Sequence, residues 1–201
     1  MEVSHTVRGY GPLDMFLAKQ RYKIAKKQIK SVHQKERILD IGCGSYPLFL
    51  TTVDFSEKYG MDKMVQPNKV YKKVQGITLI NYDFENEESL PFQDDFFDVI
   101  SALAVFEHIE PGSLVKMHRE IHRILKPGGV YIMTTPAFWT DHLLRFLAKI
   151  RLISDVEIKD HKGSYKHSDI LSILRKADFQ KERIKFGHFE MFMNSWVTAT
   201  K

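Results

Sequence analysis

The sequence predicts an α/β fold in which helices cover both faces of a doubly wound, mostly parallel sheet. Short apolar runs typical of buried strands alternate along the 201 residues with segments of helical periodicity. The first such run, Ile38-Leu39-Asp40-Ile41, stops abruptly at the glycine turn Gly42-Cys43-Gly44. No repeat, low-complexity tract or linker divides the chain, so we expect a single domain over residues 1–201.

A basic amphipathic helix is predicted over residues 13–32. Apolar side chains recur along one face of it, at Ala18, Tyr22, Ala25, Ile29 and Val32. The lysines of this segment lie mostly off that face. We expect the apolar stripe to pack on the sheet and the basic face to be solvated. Contact with an anionic substrate or with a membrane surface, as a peripheral protein, is the less favoured alternative.

The glycine turn after the first strand is a candidate ligand site. Ligands of open α/β sheets bind beyond the carboxyl ends of strands, and glycine lets them approach the backbone closely. A short helix over residues 48–56 should lead to a second strand that ends at Asp62. Asp62 follows Gly42 by twenty residues, so its carboxylate should face the ligand, where it can accept hydrogen bonds from ribose hydroxyls. The alternative is an aspartate that only caps a turn.

Three further strands follow in order, at residues 76–82, 99–103 and 130–134. The third strand runs into Asp83-Phe84, and the fourth is followed by the segment Ala104 to His108. A helix over residues 111–125 separates the fourth strand from the fifth. Pro111 suits its first turn, and Pro127-Gly128-Gly129 should end it.

The pattern changes after Pro136. Residues 140–153 are a helical candidate, and residues 155–167 are polar, with His161 and His167 among them. Ser168-Asp169 should cap a helix that reaches Ala177, and two last strands should pair as an edge hairpin, at residues 181–187 and 194–200. The domain then divides into four parts: an N-terminal helical segment (residues 1–35), a core (36–137), a lid or substrate-recognition insert (138–167), and a C-terminal helix with hairpin (168–201).

Composition excludes several classes of protein. The net charge of +5 is modest and does not by itself indicate nucleic-acid binding. Cys43 is the single cysteine, so no disulfide can form within the chain. No stretch is long and apolar enough to cross a bilayer, and the N-terminus lacks a signal-peptide core. We therefore expect a cytoplasmic protein.

Two nucleotide-like ligands suit a glycine turn followed by an acid, a dinucleotide such as NAD and S-adenosylmethionine. A pyrophosphate needs exposed amides at a helix N-terminus, usually framed by three glycines. Here the third glycine is missing, and Pro47 has no amide proton to donate. S-adenosylmethionine carries no phosphate and makes no such demand, so it is the favoured ligand.

Four sequence blocks resemble the class I S-adenosylmethionine-dependent methyltransferases. They are Leu39-Asp40-Ile41-Gly42-Cys43-Gly44, Tyr59-Gly60-Met61-Asp62, Leu90-Pro91-Phe92 with Phe97-Asp98-Val99-Ile100, and Ile124-Leu125-Lys126-Pro127-Gly128-Gly129. The resemblance covers residues 36–137. It implies a Rossmann-like methyltransferase fold of three α/β/α layers, with a seven-stranded sheet whose last strand is antiparallel.

The resemblance also implies a set of cofactor-binding residues. Asp40, Gly42, Cys43 and Gly44 would line the methionine end of S-adenosylmethionine, and Asp62 with the adjacent Lys63 would hold the ribose. Asp83 and Phe84 would flank the adenine, and Ala104 would border the sulfur and the substrate. The family usually carries a further glycine where this chain has Tyr46, which implies a reshaped turn.

His108 is the candidate general base because it follows the fourth strand at the expected cleft, and histidine titrates near neutral pH. His161 is the second candidate and His167 the third. The alternative for each is a histidine that only packs or is solvated. Glu107-His108 also resembles part of the metal-binding pattern of quinone-biosynthesis O-methyltransferases. That pattern has a glutamate where this chain has Ala104, so no metal is expected.

The expected reaction is methyl transfer to a small-molecule, lipid-linked or saccharide acceptor, at oxygen. Methyltransferases acting on DNA bases carry an Asn/Asp-Pro-Pro-aromatic run where this chain has residues 104–108, which disfavours base methylation. Two alternatives stay open. One is a non-catalytic domain that binds S-adenosylmethionine or a partner, and the other is an RNA-directed enzyme that uses the basic N-terminal helix. A dinucleotide oxidoreductase is the least favoured.

Overall fold

The computed structural model describes residues 14–30, 32, 35–65, 76–84, 86–87, 89–140, 144, 149–150, 152 and 160–201. Seven strands form one sheet: β1 Arg37–Ile41, β2 Glu57–Asp62, β3 Ile77–Asn81, β4 Phe97–Leu103, β5 Leu125–Pro136, β6 Ile184–Phe189 and β7 Asn194–Thr200. Three α-helices lie entirely within the described ranges: α1 Asp14–Ile29, α2 Leu114–Ile124 and α3 His167–Lys176. Within those ranges, no helix has the length and apolar character that a membrane span requires.

The strand order is β3-β2-β1-β4-β5-β7-β6. Strands β1 to β5 run parallel to one another, whereas β7 runs antiparallel to both β5 and β6. This confirms the predicted seven-stranded sheet with an antiparallel last strand and an edge hairpin. The order reverses at β1, which lies between β2 and β4. The carboxyl ends of β1, β2 and β4 therefore meet at one edge, where ligands of such sheets bind.

Alternate residues of β1, β4 and β5 feed two separate cores on the two faces of the sheet. On one face, Ile38 and Val99 pack with Ala25 and Ile29 of α1. On the other face, Leu39, Ile100 and Tyr131 pack with the apolar sides of α2 and α3. Because a strand points successive side chains to opposite faces, this division is the direct result of near-continuous apolar strands. The predicted three-layer α/β/α arrangement is confirmed.

The short helix predicted within residues 48–56 is not an α-helix. The structure has only a 3₁₀ turn at Leu50–Thr52. The hydroxyl of Thr51 donates to the Leu48 carbonyl at 2.7 Å, and that of Thr52 donates to the Phe49 carbonyl at 2.8 Å. Threonine side chains that bond nearby carbonyls compete with helix formation, and β-branched residues weaken it further.

Strand β5 begins five residues before the predicted Val130 and extends to Pro136. The segment Lys126-Pro127-Gly128-Gly129, expected to be a turn, lies within the bounds of β5 but interrupts its register with β4, where Phe97 pairs with Leu125 and Val99 with Val130. It is held by the chain's last residue, since Gly128 N–H donates to the Lys201 carbonyl at 2.9 Å and Lys201 N–H donates to that of Gly129 at 3.1 Å. The pairing comes from residues far away in sequence, which local patterns cannot reveal.

The remaining element bounds shift by a few residues. Helix α1 ends at Ile29 rather than residue 32, and α2 begins after a 3₁₀ turn at Pro111–Ser113. Helix α3 begins at His167, and the carboxylate of Asp169 accepts the N–H of Lys166 at 2.9 Å. The predicted helix over residues 140–153 lies mostly outside the described residues, which place Thr140 in a 3₁₀ turn, Phe138–Thr140.

Candidate functional site

The glycine turn after β1 is bonded to the tip of β2. The N–H groups of Gly42 and Cys43 both donate to the Met61 carbonyl, at 2.7 and 3.3 Å. The N–H of Gly44 donates to the Asp62 carboxylate at 2.9 Å, and the other oxygen of that carboxylate accepts the N–H of Met64 at 2.8 Å. Gly44 and Asp62, two of the nine predicted cofactor-binding residues, are therefore in direct contact.

Both glycines of the turn have backbone angles that favour glycine. Gly42 has φ +73°, and a Cβ built on it would lie 2.3 Å from Cγ2 of Val105, so only a bare backbone fits beneath that side chain. Gly44 has φ +72°, and no heavy atom of the described chain lies within 4 Å of its would-be Cβ. The space beside Gly44 is open, as close approach of a ligand requires.

Asp40 is a buried carboxyl next to the turn. The hydroxyl of Ser101, on β4, donates to Asp40 Oδ1 at 2.6 Å. Burial raises the pKa of Asp40 to about 7, with a smaller contribution from the charge of Asp62, and the Ser101 hydrogen bond acts in the opposite direction. Sequence reasoning missed Ser101, although a polar residue within the apolar β4 run was a signal that could have identified it.

Cys43 is buried within the turn. Its Sγ lies 2.9 Å from the position that a Cβ on Gly60 would take, so the thiol fills the space above β2. Burial raises the pKa of this thiol, and the nearby charges of Asp40 and Asp62 raise it further. Only the thiolate is strongly nucleophilic, so the buried, protonated thiol of Cys43 contributes to packing and is not a reactive group.

The remaining predicted groups on the β2–β3 side are more exposed. The Lys63 side chain is exposed, and its carbonyl accepts a hydrogen bond from the Asn81 amide at 3.1 Å. Asp83 accepts a hydrogen bond from the Asn86 amide at 2.9 Å. The half-buried Phe84 ring packs edge-on against Tyr82, with centroids 5.0 Å apart. These residues follow the ends of β2 and β3, which are adjacent in the sheet.

Ala104 follows β4 with φ +57°, an angle that is uncommon for a residue other than glycine. Its N–H donates to both the carbonyl and the hydroxyl of Thr134 on β5, at 2.9 and 3.1 Å. This anchor directs the following residue, Val105, over Gly42. Thr134 is a second residue that sequence reasoning missed, since its role depends on pairing between β4 and β5.

The two candidate catalytic histidines come together. The rings of His108 and His161 lie edge-to-face with centroids 5.0 Å apart. Nδ1 of His108 lies 3.3 Å from the Asp160 carbonyl and 3.5 Å from its carboxylate. Glu107 is buried beside them, and one ligand atom from each of Glu107, His108 and His161 lies within 4.8 Å of the other two. His167, the third candidate, instead contacts Ser195 at 3.1 Å.

These residues fit S-adenosylmethionine on two observations. The open space beside Gly44 admits a ligand to the bare backbone. The backbone bonds to Asp62 use two of the roughly four acceptor positions of a carboxylate, which leaves capacity for ribose hydroxyls.

Comparison with known proteins agrees with the geometry. Residues 39–133 match a family model described as "Methyltransferase domain". The ubiquinone/menaquinone biosynthesis C-methyltransferase UbiE of Pectobacterium atrosepticum is 29% identical over 143 residues, which are 64% of this chain and 55% of that protein. The tRNA N(3)-cytidine methyltransferase METTL2 of Bos taurus is 27% identical over 123 residues, 55% of this chain and 32% of that protein.

A solved structure shows the same fold. The S-adenosylmethionine-dependent methyltransferase from Mesorhizobium loti superposes with a TM-score of 0.67 at 19% identity, over 92% of this chain and 100% of that one. This chain spans 55% and 32% of the length of these two curated relatives, so a large part of each relative has no counterpart in the match. Residues 39–133 of this chain therefore match a methyltransferase domain, and the chain has the fold of the solved S-adenosylmethionine-dependent methyltransferase.

Proposed function

We propose that this chain transfers the methyl group of S-adenosylmethionine to an oxygen of a small-molecule, lipid-linked or saccharide acceptor. The observation that carries the proposal is the bond between Gly44 and Asp62 at the tips of adjacent parallel strands. It sets an open backbone turn and an acidic acceptor side by side inside the matched methyltransferase domain.

The proposed cofactor contacts follow the sheet edge. Gly42, Gly44 and Asp40 would hold the methionine end, and Asp62 would accept hydrogen bonds from the ribose. The segment after β3, with Asp83 and Phe84, would flank the adenine. Ala104 and Val105 would border the reacting sulfur, because Val105 already covers Gly42.

Bound S-adenosylmethionine supplies an electrophilic methyl group on a positively charged sulfur. The chain's task is then to align an acceptor with that group and exclude water, and positioning alone contributes much of the rate. An acceptor hydroxyl must also lose its proton as the oxygen–carbon bond forms. We assign this to His108, which ends the 3₁₀ turn after β4 and contacts Asp160 through Nδ1. A ring that donates from Nδ1 keeps Nε2 as a proton acceptor.

A second candidate function is methyl transfer to RNA. Five lysines of the N-terminal region are exposed, at positions 19, 23, 26, 27 and 30, and form a basic surface on and just after α1. One matched relative carries the name of a tRNA methyltransferase. If this surface binds RNA, retention should fall steeply with salt, because lysine–phosphate contacts release counterions. Filter binding of a tRNA mixture between low and high salt tests this, and no retention at low salt would exclude it.

The proposed function is tested first by calorimetric titration of the protein with S-adenosylmethionine. We expect saturable binding by the wild type and a loss of about 10- to 100-fold in affinity for Asp62→Asn, since a charged acceptor is worth about 1.5 to 3 kcal/mol. The matched control is Asp54→Asn, an exposed aspartate in the loop before β2. Absence of binding by the wild type would overturn the proposal.

Turnover is measured by the release of S-adenosylhomocysteine with panels of phenolic, saccharide and lipid-linked acceptors. Methylation of an oxygen in any of these classes supports the assignment. Modification of nitrogen in RNA alone would instead favour the second candidate.

A further inference from the structure

We propose that Glu107, His108 and His161 bind a divalent transition-metal ion, for which Zn²⁺ is the best match. The three side chains present ligand atoms that all lie within 4.8 Å of one another. Glu107 and His108 belong to the 3₁₀ turn after β4, whereas His161 comes from the segment that leads to α3. The tertiary structure alone brings the third donor to the other two.

Glu107 is an independent sign that the cluster binds a cation. Its side chain is 3% exposed, and its Oε2 atom has no hydrogen-bond partner among the residues that the structure describes. A buried acceptor without a partner is costly, and a buried carboxylate more so. The ammonium of Lys162 pairs with Glu110 at 3.0 Å. A cation beside Oε2 would satisfy both the charge and the open lone pairs of Glu107.

The backbone holds His161 in place. The N–H of the next residue, Lys162, donates to the Glu107 carbonyl at 2.8 Å and so ties the two segments together. The His108 and His161 rings meet at an interplanar angle of 77°, which keeps both rings beside the Glu107 carboxylate without stacking them on each other. The donors are thus positioned by main-chain structure, which lowers the entropic cost of gathering them around an ion.

His108 also has the outer partner that metal-bound histidines usually have. Its Nδ1 faces the carbonyl and the carboxylate of Asp160, at 3.3 and 3.5 Å. Such a contact fixes the ring's tautomer and orientation and leaves Nε2 available to bind an ion. Asp160 is therefore a positioning residue for His108.

The donor set selects the kind of ion. One carboxylate and two imidazoles suit Zn²⁺ and its neighbours, whereas Mg²⁺ and Ca²⁺ prefer oxygen ligands throughout. The set also differs from the metal-binding pattern of quinone-biosynthesis O-methyltransferases, because position 104 is alanine and His161 supplies the third donor. Ala104 therefore does not exclude a metal site, although the sequence alone led us to expect none.

Ion binding itself is independent of methyl transfer, but its use rests on the proposed function. A zinc ion with three protein ligands keeps a position for an oxygen ligand and lowers the pKa of a hydroxyl bound there. The acceptor hydroxyl would release its proton to water. Its oxygen lone pair would then form the new bond to the methyl carbon as the carbon–sulfur bond breaks, and the electron pair of that bond would stay on sulfur. When the ion is bound, the ion and not His108 would promote loss of the acceptor's proton.

The test is a titration of the chelator-treated, full-length protein with Zn²⁺, in competition with a chromophoric chelator. Co²⁺ is titrated separately as a spectroscopic probe, and Mg²⁺ as the oxygen-preferring comparison. We expect one Zn²⁺ per chain and Co²⁺ absorption bands that report nitrogen ligands. His161→Ala and Glu107→Gln should each weaken Zn²⁺ binding by about 100-fold or more, and Asp160→Asn by about 10-fold, given the usual cost of removing an outer partner.

The matched control is His188→Ala, an exposed histidine of β6 outside the cluster, which should bind Zn²⁺ as the wild type does. Equal Zn²⁺ affinity in His161→Ala, His188→Ala and the wild type would mean adventitious binding and would overturn the proposal, as would Mg²⁺ binding tighter than Zn²⁺. Each variant is also titrated with S-adenosylmethionine. If the wild type binds S-adenosylmethionine but not Zn²⁺, only the metal site is disproved. If it binds Zn²⁺ but not S-adenosylmethionine, only the proposed function is disproved.

Discussion

The backbone N–H of Gly44 donates to the carboxylate of Asp62 at 2.9 Å, so the residue expected to hold a ribose also holds the glycine turn. The second oxygen of that carboxylate fixes the next turn through Met64. Substituting Asp62 therefore alters the shape of the turn as well as its acceptor capacity. The contribution of the turn to cofactor binding is better measured by substituting its glycines, which leaves the Asp62 carboxylate in place. A Cβ added at Gly42 and one added at Gly44 would also meet different surroundings.

Gly44 and Gly76 form a matched pair for this purpose. Their φ angles are +72° and +79°, and neither would-be Cβ has a described heavy atom within 4 Å. Alanine at either position should cost about 1 to 2 kcal/mol in free energy of unfolding, from backbone strain alone. Only Gly44→Ala should weaken S-adenosylmethionine binding as well, because its methyl group enters the space proposed for the cofactor. Urea denaturation and calorimetry measure the two effects, and equal cofactor affinity in both variants would contradict the site.

Gly42 and Val105 should be energetically coupled. A Cβ on Gly42 would lie 2.3 Å from the Val105 side chain, in addition to the strain of φ +73°. We expect Gly42→Ala to destabilise the fold more than Gly44→Ala does. In the double variant with Val105→Ala, part of that loss should return, with a coupling of about 1 kcal/mol in a double-mutant cycle. Strict additivity of the two single changes would show that Val105 moves aside freely.

Asp40 should make stability fall as pH rises. Its pKa is about 7 in the fold, against 3.8 ordinarily, so between pH 4 and 7 the native state keeps a proton that the unfolded chain has released. Stability from this group is complete below pH 4 and is lost as pH rises through 7. Asp40→Asn should remove a dependence on the order of 2 to 4 kcal/mol. Urea titrations of both proteins at pH 4 to 8 measure it, and parallel curves would contradict the shift.

His118 should act in the opposite direction. It is fully buried in α2, where Nδ1 contacts the Leu114 carbonyl at 2.7 Å and Nε2 contacts the Tyr131 hydroxyl at 3.2 Å. Burial lowers its pKa to about 4, so from pH 6.5 down to 4 the unfolded chain binds a proton that the native state does not. Stability is complete above 6.5 and is lost on acidification.

His118→Gln should abolish this loss, which is on the order of 3 kcal/mol. The windows of His118 and Asp40 overlap between pH 4 and 6.5 with opposite signs. The wild-type stability should therefore vary little there, and the two single variants should tilt the curve in opposite directions. Thermal unfolding at pH 4.5, 5.5 and 6.5 measures the tilt, and variants that tilt the same way would show that at least one shift is misassigned.

The sequence correctly predicted the features that depend on short motifs or on the periodicity of apolar residues. The apolar run of β1 and its glycine stop predicted the turn, and the spacing to Asp62 predicted which strand tip would face it. Sequence reasoning failed where a distant partner decides the structure. Lys201 pairs with Gly128 and Gly129, which local patterns had assigned to a turn. The helix after β1 differs from the prediction for a local reason instead, since the Thr51 and Thr52 hydroxyls bond carbonyls three residues earlier.

The sequence by itself determined the fold class, the glycine turn at Gly42 to Gly44 and the acid at Asp62, because strand periodicity and βαβ spacing are properties of short stretches. Only the tertiary structure decided that Ser101 would bond Asp40, that Val105 would cover Gly42 and that His161 would join Glu107 and His108. These contacts link strands and segments that the sheet order brings together from across the chain, and no local pattern encodes that order.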